Sequence, residues 1–392
     1  MLMGFALLVA AFMHHAIGYG VPTPEYLYPA VTFGEQHHIV SVFLPVGYSG
    51  FLGLGMMLNH AAGISLANFI IFLSLMCAVW AFLRHRGITP WQAAAIAAIV
   101  AASPELSVSI FKVADGLITA MFLLAVMACI LAVVHKPQQW LADVVLAAVL
   151  GWAIATRTNL APLVLVCWFI WKRYNVPRLA LRIALQTAII VMVYAGITTA
   201  VHGRPFLPHN GAYNLFAGAN EFTPQYIDSE EDSLPSAMAA RGMPASVHWD
   251  TEPDRPGTPD LRDRSFEPIF RRDALAWIRA HPFAMLIRIP WRLAVFLEPD
   301  LRVHPANTFG GVLKLLGFIV VPLWFGVWLW LPRTENSPAR TLVALTVAAY
   351  ILPFVLIVSA PRFRVPLEIV CLADLLAMLF AWWGSRSRHS AI

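Results

Sequence analysis

Charge is what this sequence has least of. Only 12% of its 392 residues are Asp, Glu, Lys or Arg, while 59% are hydrophobic and the mean hydropathy is +0.68. A soluble domain carries roughly 25% charged residues, so a water-soluble fold is excluded and a polytopic membrane protein is indicated. Cysteine is scarce too. The four present, Cys77, Cys129, Cys167 and Cys371, all fall inside apolar runs without metal-ligand spacing, so they read as small buried hydrophobes and not as a disulfide framework. No basic run with interleaved aromatics occurs, so the net charge of +5 and pI near 9.2 do not point to nucleic acid. There is no internal repeat and no pair of interrupted helices in corresponding halves, as many transporters have.

What the chain does have is apolar runs punctuated by basic residues. Leu2–Ala16 has no basic n-region and no small-x-small site, so it reads as a first transmembrane helix rather than a cleaved leader. Leu44–Leu58, at about 15 residues, falls short of the roughly 20 needed to cross and is expected to lie along the membrane surface. Crossings are expected over Ser65–Leu83, Thr89–Ser109, Val113–Val134, Trp140–Thr156, Thr158–Trp171, Leu179–Val201, Phe309–Leu331, Thr341–Ala360 and Leu367–Trp383. If Arg84/Arg86, Lys136, Lys172–Arg182, Arg333/Arg340 and Arg386/Arg388 are cytoplasmic, these crossings alternate without conflict and both termini are cytoplasmic. The loops at Pro22–Phe43, Pro104–Lys112, Arg157, His202–Asn307 and Pro361–Pro366 then share the opposite face. Three regions follow: an N-terminal transmembrane module at 1–202, a loop and juxtamembrane-helix region at 203–308, and C-terminal transmembrane helices at 309–392. Within the second, Ser229–Arg264 is loop-like, and Arg271–Pro299 has the periodicity of an amphipathic surface helix.

The polar residues on that shared face are the candidates for chemistry. Glu25, in Pro24-Glu25-Tyr26-Leu27-Tyr28, can act as a general base on a fixed hydroxyl or be a solvated loop carboxylate. Glu35 is the nearest alternative acid. His37 and His38 are adjacent, so their side chains diverge, and no spaced Cys or His completes a metal set. Lys112 and Asp115, three apart at a helix start, either pair with each other or meet a polar substrate. Arg157, at the turn between two apolar helices, either snorkels or points into a central cavity. Arg362 and Arg364 occupy a short loop where short basic loops are normally avoided. Guanidinium forks suit phosphate, and headgroup snorkelling is the competing account.

Together these motifs resemble the membrane-embedded glycosyltransferases of the GT-C superfamily, such as protein mannosyltransferases and aminoarabinose transferases of lipid A. Pro24-Glu25-Tyr26 stands where that family has an acidic pair before a Tyr. Leu44-Pro45-Val46-Gly47-Tyr48-Ser49 is similar to its Pro-Pro-Gly-Tyr-Pro element, and Thr156-Arg157-Thr158 to its Thr-Arg-Pro turn. Lys112 with Asp115 matches its basic-then-acidic outward loop, and Arg362-Phe363-Arg364-Val365-Pro366 its terminal Arg-aromatic-Arg-x-Pro motif. Pro24 in place of the first acid, and Ser49 in place of proline, are departures. The resemblance implies an all-α polytopic membrane protein, a GT-C-like helical bundle of about 10 transmembrane helices with a periplasmic loop region. It implies a bacterial inner (cytoplasmic) membrane location with the site facing the periplasm. The implied activity is metal- and cofactor-independent transfer of a sugar from a polyprenyl-phosphate donor to a lipid, glycan or protein acceptor. Glu25 would be the catalytic base, with Glu35, Tyr48, Lys112, Asp115, Arg157, Asn210, Tyr213, Asn214, Asn220, Arg362 and Arg364 contacting substrate. A lipid-linked-sugar flippase and a non-catalytic scaffold of envelope assembly are the rival readings.

Overall fold

The computed structural model describes residues 30–31, 33–37, 46–103, 106, 115–202, 205, 210–223, 234–241, 267–298, 309–331, 338–357 and 361–389. Every regular element among them is helical. In order these are α1 (Val46–His85), α2 (Pro90–Ala101), α3 (Gly116–His135), α4 (Trp140–Thr156), a 3-10 turn (Thr158–Leu160), α5 (Pro162–Arg173), α6 (Leu179–His202), α7 (Asn210–Gly218), α8 (Leu234–Ala239), α9 (Glu267–Ala280), α10 (Pro282–Leu297), α11 (Phe309–Trp330), α12 (Pro338–Leu356), a second 3-10 turn (Pro361–Arg364) and α13 (Val365–His389). Among the described residues five stretches are long and apolar enough to cross a membrane: Gly63–His85, Gly116–His135, Leu179–Val201, Pro338–Leu356 and Val365–Trp383. Pro90–Ala101, Trp140–Thr156 and Leu315–Trp330 are shorter apolar helices. The expected first crossing, Leu2–Ala16, lies outside the described residues.

α3 is the hub. Its sequence, GLITAMFLLAVMACILAVVH, is apolar on all sides, as a helix surrounded by other helices must be. It packs on α1, α4, α5, α12 and α13, and 72% of its crossing is buried, against 17% for α6, which faces outward. One cluster of buried residues runs from Ala30 to Met378, so α11, α12 and α13 share their core with the N-terminal helices. A second, smaller cluster joins α7, α8 and α9 through Tyr213, Phe216, Met238, Phe270 and Ala274.

α1 differs from the expectation of a separate surface helix over Leu44–Leu58. It is helical over 40 residues, yet the Tyr48 hydroxyl donates to Asn68 Oδ1 at 2.8 Å. Twenty residues of straight helix span about 30 Å, so α1 must double back on itself, with Val46–Leu58 antiparallel to the crossing that starts at Gly63. Gly55 and Gly63 make the reversal feasible: a Cβ on either would collide with the other's carbonyl. The sequence marks the two arms but not that they fold against each other. The expected amphipathic helix over Arg271–Pro299 is two helices, α9 and α10, divided at His281 with Pro282 opening the second.

Gly63→Ala is therefore expected to lower stability by about 1–3 kcal/mol through overpacking. Gly196→Ala, where nothing lies within 4 Å of the added carbon, should be neutral or stabilising. Thermal unfolding of both variants in one detergent compares them, and equal melting temperatures would rule out the Gly55–Gly63 contact.

Candidate functional site

Contacts sort the helix ends into two groups. One end of the bundle gathers the start of α3, the end of α4, the end of α12 and the second 3-10 turn. Arg157 ties these together. It sits in extended backbone, φ −154° and ψ 104°, where α4 stops and the first 3-10 turn starts. Its Nε meets Asp115 Oδ2 at 2.7 Å, and its Nη1 donates to the Tyr350 hydroxyl at 3.0 Å. Tyr350 in turn donates to the Phe363 carbonyl at 3.0 Å. The guanidinium also lies over the rings of Phe363, at 5.1 Å, and Phe354, at 5.7 Å. Both members of the ion pair are 13% exposed, so water reaches them only partly and their attraction is stronger than on an open surface.

The Leu44–Ser49 element comes to the same place. The space beside Gly47 is filled by Thr156, whose backbone nitrogen would lie 2.7 Å from a Cβ there, and Trp152 Nε1 donates to the Gly47 carbonyl at 3.3 Å. Tyr48 is buried and bonded to Asn68, so it acts in packing. The starts of α3 and α13 adjoin, with Val365 at 3.7 Å from a Cβ on Gly116. Two helix N-termini thus bring positive partial charge toward Asp115.

Arg364 is placed differently from a ligand-facing guanidinium. It is 3% exposed, bonds Glu368 through Nε, and donates from Nη1 to the carbonyls of Leu297 at 2.8 Å and Glu298 at 2.5 Å. These bonds fasten the end of α10 to the second 3-10 turn. Arg362 lies in that turn, and its side chain is outside the described residues, as are Glu25, Lys112 and His38. Glu35 is exposed, and His37, at φ +60°, closes its short helical stretch by donating to the Phe33 carbonyl at 2.9 Å.

The asparagine-rich stretch forms α7. Asn210 opens it and Asn214 is half-buried one turn on. Tyr213 is buried edge-on to Phe270, ring centroids 5.9 Å apart. Asn220 caps the end of the helix. Its Nδ2 donates to the Phe216 carbonyl at 2.8 Å and the Ala217 carbonyl at 3.2 Å, and its Oδ1 accepts from the Phe222 N–H at 2.8 Å. Two buried arginines of α10 finish the cap. Arg288 and Arg292 both donate to the Gly218 carbonyl, at 2.9 and 2.5 Å, and Arg292 also reaches the Leu356 carbonyl at 3.0 Å. Cations at a helix C-terminus are favourable, and these fix α7 beside the end of α12.

Among the described residues no group of three or more His, Cys, Asp or Glu is arranged to hold a metal. Tyr350 was missed by sequence reasoning; the signal was a lone hydroxyl-bearing ring in an apolar crossing, three residues before Pro353. No family model, no curated protein and no solved structure matches the chain, so its function has to be argued from these contacts.

The α7–α9 unit carries its own ionic clasp. Arg241 forks onto Glu221 at 3.1 and 3.0 Å and bonds Asp273 at 2.8 Å. The hydrogen bond from Arg241 holds the Glu221 carboxyl below its usual range. Burial would raise Asp273, but Arg272 and Arg241 more than reverse it. Lowered carboxylate pKa values stabilise the folded unit above the ordinary carboxylate range, near pH 4, and that contribution is lost as pH falls through the folded values. The protection factor of amides in 234–241, their exchange relative to an unstructured chain at the same pH, is expected to fall below about pH 4, and Arg241→Gln should show the lowered protection already at pH 7. Protection unchanged by both pH and that substitution would remove the clasp from the account.

Proposed function

We propose that the protein is an integral-membrane glycosyltransferase that moves a sugar from a polyprenyl-phosphate carrier to an acceptor hydroxyl, with the site at the Arg157 end of the bundle. The observation that carries this reading is convergence. Gly47 meets Thr156, 109 positions away by their numbers, Asp115 meets Arg157, and Arg157 meets Tyr350 and the Phe363 ring. These contacts bring four separate sequence motifs to one end of an apolar bundle, where a polar set is costly unless it faces a polar ligand or water.

In this mechanism the scissile bond joins the anomeric carbon to the donor phosphate. Glu25 takes the acceptor proton as the hydroxyl oxygen attacks, and the departing polyprenyl phosphate keeps the bonding electrons. Charge therefore grows on phosphate in the transition state, where preorganised cations help most. Arg157 is preorganised, since Asp115 and Tyr350 fix its plane and two aromatic rings back it. Asp115 neutralises part of its charge, so Lys112, Arg362 and the two adjoining helix N-termini supply the remainder. Arg364 keeps the turn that bears Arg362 and Phe363 in register, which leaves Arg157, Arg362 and Lys112 as the candidates for phosphate contact.

Purified protein given a polyprenyl-phosphate sugar and acceptor is expected to release polyprenyl phosphate only when both are present. Arg157→Lys keeps the charge but loses the fork, and release should fall on the order of tenfold to a hundredfold. Glu25→Gln should cost a factor of about 100 to 10,000 in turnover with donor binding retained. Donor movement across the bilayer without bond cleavage would replace this reading with a flippase. Neither activity, with intact donor binding, would favour a scaffold.

A further inference from the structure

At the other end of the bundle the crossings Gly63–His85 and Gly116–His135 stop side by side, and the rings of His85 and His135 are 6.1 Å apart. Arg84 and Lys136 flank that pair, and Arg84, His135 and Lys136 are exposed. Among the described residues no carboxylate lies within ion-pair distance of any of the four. The acids held near this end face inward. Asp143 is gripped by Arg182, and Asp374 by Arg86 and by Trp324 Nε1 at 2.7 Å. Arg84 Nη1 reaches the Ile88 carbonyl at 2.6 Å. Two helix C-termini offset about half an elementary charge each, roughly one in total. The full charges of Arg84 and Lys136, with two imidazoles beside them, exceed that, so the patch is left positive.

A second observation says what faces it. Leu66, Ile70, Cys77 and Trp80, with the small Ser74 among them, are exposed at helical spacing along α1, and the stripe leads to Arg84 one turn beyond Trp80. An outward apolar stripe ending in a cation has the layout of a lipid, with acyl chains along the helix and a headgroup at its end. The four groups also sit where the apolar runs stop, the depth of headgroup phosphates.

We infer that Arg84, His85, His135 and Lys136 form a binding site for the phosphodiester of an anionic phospholipid drawn from the surrounding bilayer. The Nε–Nη2 edge of Arg84 and the Lys136 ammonium take the phosphate oxygens, the imidazole N–H groups complete the donors, and the Leu66–Trp80 stripe lies along an acyl chain. The inference is independent of any sugar transfer at the opposite end.

The test uses the full chain in nanodiscs of phosphatidylglycerol and phosphatidylcholine, with bound lipid counted by native mass spectrometry after detergent release. Phosphatidylglycerol should be retained over phosphatidylcholine. Each basic residue near a membrane surface contributes about fivefold in affinity for anionic lipid. The Arg84→Gln/Lys136→Gln double variant should thus lower phosphatidylglycerol retention by at least tenfold and leave phosphatidylcholine unchanged. Lys136→Gln alone should lower it about fivefold with an unchanged melting temperature, which separates lost binding from lost folding. Equal retention by wild type and Lys136→Gln would overturn the site. Displacement of phosphatidylglycerol by inorganic phosphate would overturn the lipid as its occupant in favour of a soluble anion.

Discussion

A guanidinium brought into the end of an apolar bundle needs partners, and Arg157, Arg182, Arg86 and Arg364 acquire theirs from other helices. Arg157 takes Asp115 from α3 and Tyr350 from α12 while standing at the end of α4. Arg182 takes Asp143 across α6 and α4, and Arg86 takes Asp374 on α13. Arg364 collects the last carbonyls of α10. Removing one partner from such a pair leaves a buried charge uncompensated, which is far more destabilising than the intact pair is stabilising. The pairs are therefore best seen as registers. They fix which helix ends can be neighbours, a choice that apolar contacts between Leu, Ala and Val surfaces leave open.

Five of the expected crossings match stretches long and apolar enough to span, because period and length suffice to mark such a helix. Gly116–His135, Leu179–His202 and Pro338–Leu356 lie close to where hydropathy puts them. The doubling back of Val46–His85 was not legible, since a reversal carried by Gly55 and Gly63 leaves the helical pattern of both arms unbroken. Likewise the division of the amphipathic segment at His281 depends on Pro282, which a sequence reader can equally take as a mid-helix kink.

At the site, Asp115 and Arg157 stand side by side, and the contacts of Asn220 and Arg364 show what their polar groups bond. Asp115 and Arg157 do meet, 42 positions apart by their numbers, a pairing that helix spacing does not offer; Lys112, the partner spacing did offer, lies outside the described residues. Asn220 and Arg364 carry the polar groups expected of ligand contacts, and both use them on backbone carbonyls. Such groups can serve a ligand or a helix end with the same chemistry. Only the fold says which carbonyls stand within reach.

The two halves of the Arg157 end are joined by one short piece of helix. Tyr350 and Phe354 of α12 contact Arg157, while one turn later the Leu356 carbonyl accepts from Arg292 and the Ile357 carbonyl fills the space beside Gly218. Pro353 lies within this stretch, between Tyr350 and Phe354, and deletes a helix hydrogen bond there. The polar clasp on Arg157 and the seat of the α7–α9 unit thus share the backbone of residues 350–357. A side chain added at Gly218 has no room unless α7 lifts off that seat. α7 and Arg157 are thus both held by the 350–357 segment, one through Gly218 and the other through Tyr350 and Phe354.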